Sequence, residues 1–347
     1  MTNVRADFDP DIPMLSVETP IDHNFHQNVN DKILRWESTL PEEYWEYRRE
    51  WEENPKNRVV GPFPIHLDVD ATSDCNLKCV MCPRTDLIAA GTYWEVKDFD
   101  FDLYKRLIDE GVKNGLRSVK YNYLSEPTMS RRLVEMIKYA KEAGVLDVMF
   151  NTNATLLTDR MCRELISSGL DKIFFSFDSP YEEQFHKIRV NANYTKVLRN
   201  IKRFMAVREE MGSVTPFTRV QMVRMKDTEG EWEAFQELFE PIVDSVAYVD
   251  YLDHTGQSND ERTVVPIGTR KAKFCCPQLW QRMFVHVDGI VSVCCVDAAR
   301  EIQVGNIYEN TAQEIWQGEK YQKIRDLHAN GRFDEIPACA RCPLASY

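Results

Sequence analysis

The chain has 347 residues, 43% hydrophobic and 28% charged, with 14 Gly and 16 Pro. That composition excludes collagen-like, mucin-like and largely disordered classes and suffices for a barrel plus an accessory module. Lys and Arg number 43 against 55 Asp and Glu, a net charge of -12, which opposes an extensive phosphate-backbone interface, so no nucleic-acid partner is expected. No apolar run approaches the ~18 to 20 residues of a membrane span, and Met1 to Phe8 carries no apolar core or cleavage site. A cytoplasmic protein without a membrane partner is expected.

Residues 1–64 read as an N-terminal helical extension, because 42–51 has helix-forming composition with aromatics at i, i+3 and i+4 spacings. Such an extension would cover the barrel mouth or meet a partner. Gly61-Pro62-Phe63-Pro64 breaks the chain, and the alternation of residues 65–69 opens the main domain, 65–255. Candidate strands at 65–69, 118–123, 147–151, 172–177, 218–225 and 245–251 alternate with helix-like runs at 104–114, 131–143, 158–168, 194–211 and 231–239. This is the string of βαβ units with a mainly parallel sheet. Six β/α units fit a partial barrel, and an open doubly wound sheet produces a similar string. Residues 256–270 read as a polar linker, and 271–347 form a cysteine-dense tail.

Nine of the ten cysteines fall into two groups, a distribution that points to metal or redox chemistry more than to disulfides. Cys75, Cys79 and Cys82 follow the first strand as C-x3-C-x2-C. Three thiolates hold three irons of a 4Fe-4S cube and leave the fourth open to a substrate or cofactor, whereas structural zinc wants four closed ligands. A zinc knuckle with a distant fourth ligand is the other reading of this spacing.

With that motif in place, the chain resembles the radical S-adenosylmethionine (SAM) superfamily, whose C-x3-C-x2-C follows the first strand of a partial (β/α)6 TIM-like barrel. The resemblance implies a catalytic 4Fe-4S cluster and SAM as cofactors. It matches Ser125-Glu126-Pro127 to the stretch that binds the SAM amino group, giving Glu126 that role. Asn151-Thr152-Asn153-Ala154 resembles the Thr-Asn-Gly segment of relatives, Ser176-Phe177-Asp178 their Ser-Ile-Asp, and Arg189 the arginine aimed at the SAM carboxylate. Met81 takes the place before the last cysteine where relatives often have an aromatic near the adenine, a space a thioether also fills.

The tail places Cys276, Gly289 and Cys294 at the spacing that opens the SPASM and Twitch auxiliary-cluster domains of radical enzymes, with Gly305-Asn306-Ile307 and Ile315-Trp316 further along. The resemblance implies one auxiliary 4Fe-4S cluster on Cys276, Cys294, Cys339 and Cys342. Cys275 and Cys295 are the weaker ligands, because adjacent residues on a strand point to opposite faces. A four-cysteine zinc site has the same spacing. Cys162, alone in a helical pattern, reads as a small buried apolar residue.

The implied activity is reductive cleavage of SAM to a 5'-deoxyadenosyl radical, which takes a hydrogen from a substrate C–H bond. Oxidation or epimerisation of a carbohydrate- or aminocyclitol-like molecule is favoured, with Cys295 or Cys275 as hydrogen donor in the second case. The alternatives are radical modification of a peptide and a non-catalytic zinc-binding module. A flavodoxin- or ferredoxin-type protein would supply electrons. Arg219, Gln221 and Arg224 interleave with apolar residues on the fifth candidate strand, either as substrate contacts or as a solvated face.

Overall fold

The computed structural model describes residues 4–5, 25–29, 31–253, 261–264 and 274–346. Most of the expected linker 256–270 therefore lies outside the described residues. The strands are β1 (Val4–Arg5), β2 (Phe25–Val29), β3 (Val59–Val60), β4 (His66–Val69), β5 (Ser118–Lys120), β6 (Asp147–Thr152), β7 (Lys172–Ser176), β8 (Phe217–Arg224), β9 (Ser245–Asp250), β10 (Arg282–Val285), β11 (Ile290–Ser292) and β12 (Gln303–Asn306). β1 and β3 form a two-stranded ribbon, and the other ten make one sheet ordered β12-β11-β10-β4-β5-β6-β7-β8-β9-β2.

From β4 to β9 the strands lie side by side in chain order and every pairing is parallel. A doubly wound sheet reverses its order at a switch point, so this order is that of a partial (β/α)6 barrel. All six candidate strands and all five candidate helices form, with ends shifted by at most a few residues. Within the barrel, two short helices escape the periodicity, Pro83–Ala89 and Glu182–Ile188. Each is only two turns long, too short to display a 3.6-residue repeat.

The N-terminal helices Lys32–Glu37 and Glu42–Asn57 bury Trp36, Tyr44 and Tyr47 against Ile65, Phe174 and Phe217. Ile65 and Phe217 stand where β4 and β8 begin, so these aromatics close the bottom of the barrel. That is the end opposite to the mouth, which was one of the two places expected for the extension, the other being a partner. Lys172, at the start of β7, reinforces the closure by donating to the Tyr44 hydroxyl at 2.8 Å and to Asp147 Oδ2 at 2.6 Å.

The tail joins the same sheet. β10 pairs in parallel with β4, and β11 and β12 follow as an antiparallel meander. Gly289 turns the chain between β10 and β11 at φ 79°, where a Cβ would also collide with Tyr308 and Asn306.

Candidate active site

The three-cysteine loop leaves β4 at its C-terminal end, where barrel enzymes carry their chemistry. Asp74 Oδ1 accepts from the Cys75 amide at 2.8 Å, and the Lys78 and Val80 amides donate to Val190 O and Ile188 O, both at 3.1 Å. Cys82 then caps the helix Pro83–Ala89. The three thiols line a cavity of about 400 Å³ that also meets Met81, Glu126, Asn153, Ser176, Arg189 and Cys295. Every residue expected to touch the catalytic cluster or SAM thus borders one space. Burial pushes the Cys75 thiol up to about 11 and Cys79 up to about 12. Three such sulfurs on one wall form a donor set suited to a cluster that supplies the positive charge.

Glu126 is 2% exposed and follows a loop whose Leu124 and Ser125 stand where relatives have glycines. Tyr93 donates from its hydroxyl to both Ser73 O (2.8 Å) and Leu124 O (3.0 Å), fixing this loop to the start of the cysteine loop. The Glu126 amide donates to Asp74 O at 2.8 Å. Its Oε1 accepts from the Thr128 amide (3.2 Å), the Thr128 hydroxyl and the Thr152 hydroxyl (2.6 Å), while Oε2 accepts from the Asn153 amide alone (2.7 Å). Oε2 therefore keeps acceptor capacity on the cavity side, as a site for an ammonium requires. Burial raises the Glu126 carboxyl, and the Asn153, Thr128 and Thr152 bonds oppose that rise.

Asn153 acts as a tie. Its Nδ2 donates to Asn76 Oδ1 at 2.9 Å, and its Oδ1 accepts from the Thr155 amide and hydroxyl, so it joins the β6 end to the cysteine loop. Ala154 follows at φ 57°, the left-handed region that favours the glycine found in relatives.

Arg189 is 7% exposed, with its Nε donating to Asp178 Oδ2 at 2.5 Å and its Nη1 lying 3.9 Å from Cys79 Sγ. Asp178 Oδ1 is anchored in turn by the Val223 amide at 2.8 Å. Although burial works against its charge, Asp178 and the nearby thiols hold the Arg189 guanidinium firmly protonated. Met81 packs against Ile188, Met225 and Tyr251, an apolar corner of the kind an adenine ring occupies.

The same cavity is also lined by Asp68, Lys120, Gln221, Arg282 and Cys295. Of the three fifth-strand residues, Gln221 faces the cavity and accepts from Arg219 Nη2 at 2.7 Å, whereas Arg224 pairs with Asp250 at 2.6 Å. Cys295 Sγ accepts from Gln278 Nε2 at 3.1 Å. Cys275 is 1% exposed, turns toward Arg58 and borders neither cysteine-lined cavity. Cys162 is buried in the core, as its helical setting suggested.

A second, smaller cavity of about 60 Å³ is lined by Cys276, Cys294, Cys339 and Cys342 together with Phe274, Leu279 and His328. This is the set expected to hold an auxiliary cluster. Among the described residues no three His, Cys, Asp or Glu side chains gather around a single ion position. A zinc ion needs four thiolates within about 4 Å of one another, whereas a cube takes one thiolate at each iron. His328, which sequence reasoning missed, accepts from the Cys276 amide at Nδ1 (3.2 Å) and sits 3.4 Å from Cys339 Sγ at Nε2. The first bond places its proton on Nε2, directed at the sulfur. Burial drives the His328 pKa down to about 3.

The chain matches the radical SAM superfamily over residues 69–239 and the iron-sulfur cluster-binding domain SPASM over residues 275–343. Among curated relatives, a tungsten-containing aldehyde ferredoxin oxidoreductase cofactor-modifying protein of Pyrococcus furiosus is 27% identical over 80% of this chain and 87% of its own length. A probable GTP 3',8-cyclase of Methanococcus maripaludis is 25% identical over 69% of this chain and 76% of its own. The fold is similar to that of SuiB of Streptococcus suis bound to precursor peptide SuiA, with TM-score 0.59 and 15% identity over 83% of this chain and 72% of that one. It is also similar to BtrN in complex with AdoMet and 2-DOIA, with TM-score 0.52 and 18% identity over 80% of this chain and 92% of that one. From the cysteine loop, the barrel order and these matches together, the chain belongs to the radical SAM superfamily and carries a C-terminal SPASM domain, with 4Fe-4S clusters and SAM as its cofactors.

Proposed function

We propose that this radical SAM enzyme acts on a small polar molecule held in the barrel, and that Cys295 returns a hydrogen atom to it, so that the net reaction is an epimerisation. One observation carries the reading: Cys295 lines the same cavity as Cys75, Cys79, Cys82, Glu126 and Arg189. Bound there, the reduced cluster and SAM supply the radical that removes a hydrogen atom from an unactivated C–H bond.

The remaining work falls to this chain. Glu126 Oε2 orients the SAM amino group, the Arg189 guanidinium its carboxylate, and Met81 with its apolar neighbours the adenine. The aromatic floor of Trp36, Tyr44 and Tyr47 excludes water from below. Cys295 gives its S–H hydrogen to the face of the substrate carbon opposite to the one attacked, and its sulfur radical then takes up one electron and one proton. A flavodoxin- or ferredoxin-type donor supplies that electron. A cavity of about 400 Å³, partly filled by SAM, leaves space for a compact metabolite more readily than for an extended peptide.

Dehydrogenation is the second reading, supported by the auxiliary cavity lined by Cys294, the chain neighbour of Cys295, where a bound cluster would serve as electron acceptor. The test is anaerobic reconstitution in D2O with dithionite, SAM and a panel of sugars, sugar phosphates and aminocyclitols. Epimerisation predicts a panel member that stimulates 5'-deoxyadenosine formation and gains one deuterium with inverted configuration, a product lost in Cys295→Ala. Inversion that persists in Cys295→Ala rejects the donor role, and a product two electrons more oxidised without deuterium establishes dehydrogenation.

A further inference from the structure

The cavity lined by Cys295 also holds an unbalanced set of charges. Asp68 and Lys120 are direct register partners on β4 and β5, so both side chains leave the sheet on the barrel's inner face. Asp68 is already served: Arg282 Nη1 donates to its Oδ2 at 3.2 Å, and His66 Nε2 lies 3.4 Å from the same oxygen. Burial lowers the His66 pKa, so its imidazole is neutral at pH 7. One carboxylate thus stands against two cations, Lys120 and Arg282, both bordering the cavity.

Arg282 turns one nitrogen to Asp68 while its buried Nε has no partner. Lys120 lines the cavity and is attracted by Asp68, which opposes the lowering of its pKa by burial, but it makes no ion pair within 4 Å and no hydrogen bond with any described residue. Gln221, whose Oε1 is occupied by Arg219, has its amide nitrogen left to donate. On the neighbouring strand β6, Asn151 Oδ1 is a buried acceptor without a partner and lines the same cavity. Buried polar atoms are ordinarily matched, so the partnerless Arg282 Nε and Asn151 Oδ1, bordering one space with the half-buried Lys120, mark where a ligand completes the set.

We infer that Lys120 and Arg282 bind an oxyanion of the substrate, a carboxylate or a phosphate, while Asn151 Oδ1 accepts from a hydroxyl or amino group of the same molecule. This rests on the reading of the cavity as the seat of a small-molecule substrate. The SAM carboxylate does not meet the need, since Arg189 serves it. A chain of net charge -12 repels anions from most of its surface, so a half-buried excess of positive charge lining a cavity is a selective place for one.

The test uses the anaerobically reconstituted enzyme with SAM bound, at constant ionic strength set by chloride. Thermal unfolding is followed while inorganic phosphate or acetate replaces chloride. Phosphate, acetate or both should raise the midpoint saturably, and the one that does so identifies the oxyanion. Lys120→Met should raise the concentration for half-maximal effect at least tenfold, and Lys120→Arg should restore it to within about threefold of wild type. If neither anion differs from chloride, or if Lys120→Met responds as wild type does, the inference is overturned. Stimulation of wild-type 5'-deoxyadenosine formation by the panel of sugars, sugar phosphates and aminocyclitols is measured in parallel. Stimulation without anion binding rejects this inference and leaves the small-molecule reading standing, whereas no stimulation by any panel member rejects that reading itself.

Discussion

Cys294 and Cys295 are adjacent in the chain yet open into different cavities, Cys294 with Cys276, Cys339 and Cys342, and Cys295 with the SAM-binding loop. Their replacement therefore separates two functions. Cys294→Ser should cost the auxiliary cluster, lowering iron from about eight to about four per chain, whereas Cys295→Ser should keep both clusters. Iron and labile-sulfide counts after reconstitution decide it, and equal loss in both variants would contradict the assignment.

Glu126→Gln replaces an acceptor-only group with one that must point an NH2 toward the Asn153 amide or into the SAM site. We expect SAM to bind at least about tenfold more weakly, in line with the loss of one charge-assisted hydrogen bond. Equilibrium dialysis with the reconstituted protein measures this.

The buried pair Asp178–Arg189 should be easier to delete than to break. Asp178→Asn leaves Arg189 buried beside Cys79 without its counter-charge and should destabilise the fold by about 3 kcal/mol. The double change Asp178→Leu with Arg189→Met should cost less than that in urea unfolding. A double variant at least as unstable as Asp178→Asn would show that the pair itself contributes net stability.

His328 directs its Nε2 proton at Cys339 Sγ. A hydrogen bond to a cluster thiolate stabilises the more negative, reduced state. His328→Phe should therefore make the auxiliary potential more negative by on the order of 40 mV, the one-electron equivalent of about 1 kcal/mol. Redox titration followed by EPR reads this, and an unchanged potential would leave His328 a packing residue.

Away from the site, burial raises the Asp171 carboxyl to about 6 even though Lys141 lies 2.8 Å away. The folded protein thus holds this proton more tightly than the unfolded chain. Its contribution to stability is complete below about pH 4 and is lost as pH rises through about 6. The urea midpoint of wild type relative to Asp171→Asn should fall across that window, and a constant difference would refute the shift.

The barrel strands were legible because alternating and apolar runs of strand length stand between helices long enough to show their period. The three-cysteine loop, Glu126 and Arg189 were legible as a motif in chain order. Lys120 and Asp68 were not, since a lone charge in a strand looks the same whether it faces solvent or a barrel interior. Which end of the barrel the N-terminal aromatics close depends on tertiary packing, as does the pairing of β2 with β9. The different roles expected of Cys294 and Cys295 were argued from strand geometry, but β11 ends at Ser292 and the two cysteines diverge in the bend that follows it. His328 carried no spacing signal, because its bonds to Cys276 and Cys339 span 52 and 11 residues.

The parallel ladder between β10 and β4 has a consequence for how such enzymes are cut and recombined. Removing the cysteine-rich tail would strip β4 of its neighbour and expose a row of unpaired amides and carbonyls, an edge prone to join other chains. The tail is therefore no detachable cassette, and a truncated barrel should aggregate before its chemistry can be assayed. Grafting another auxiliary segment onto this barrel would have to preserve the Arg282–Val285 register, because that strand covers the side of β4 that would otherwise become an edge.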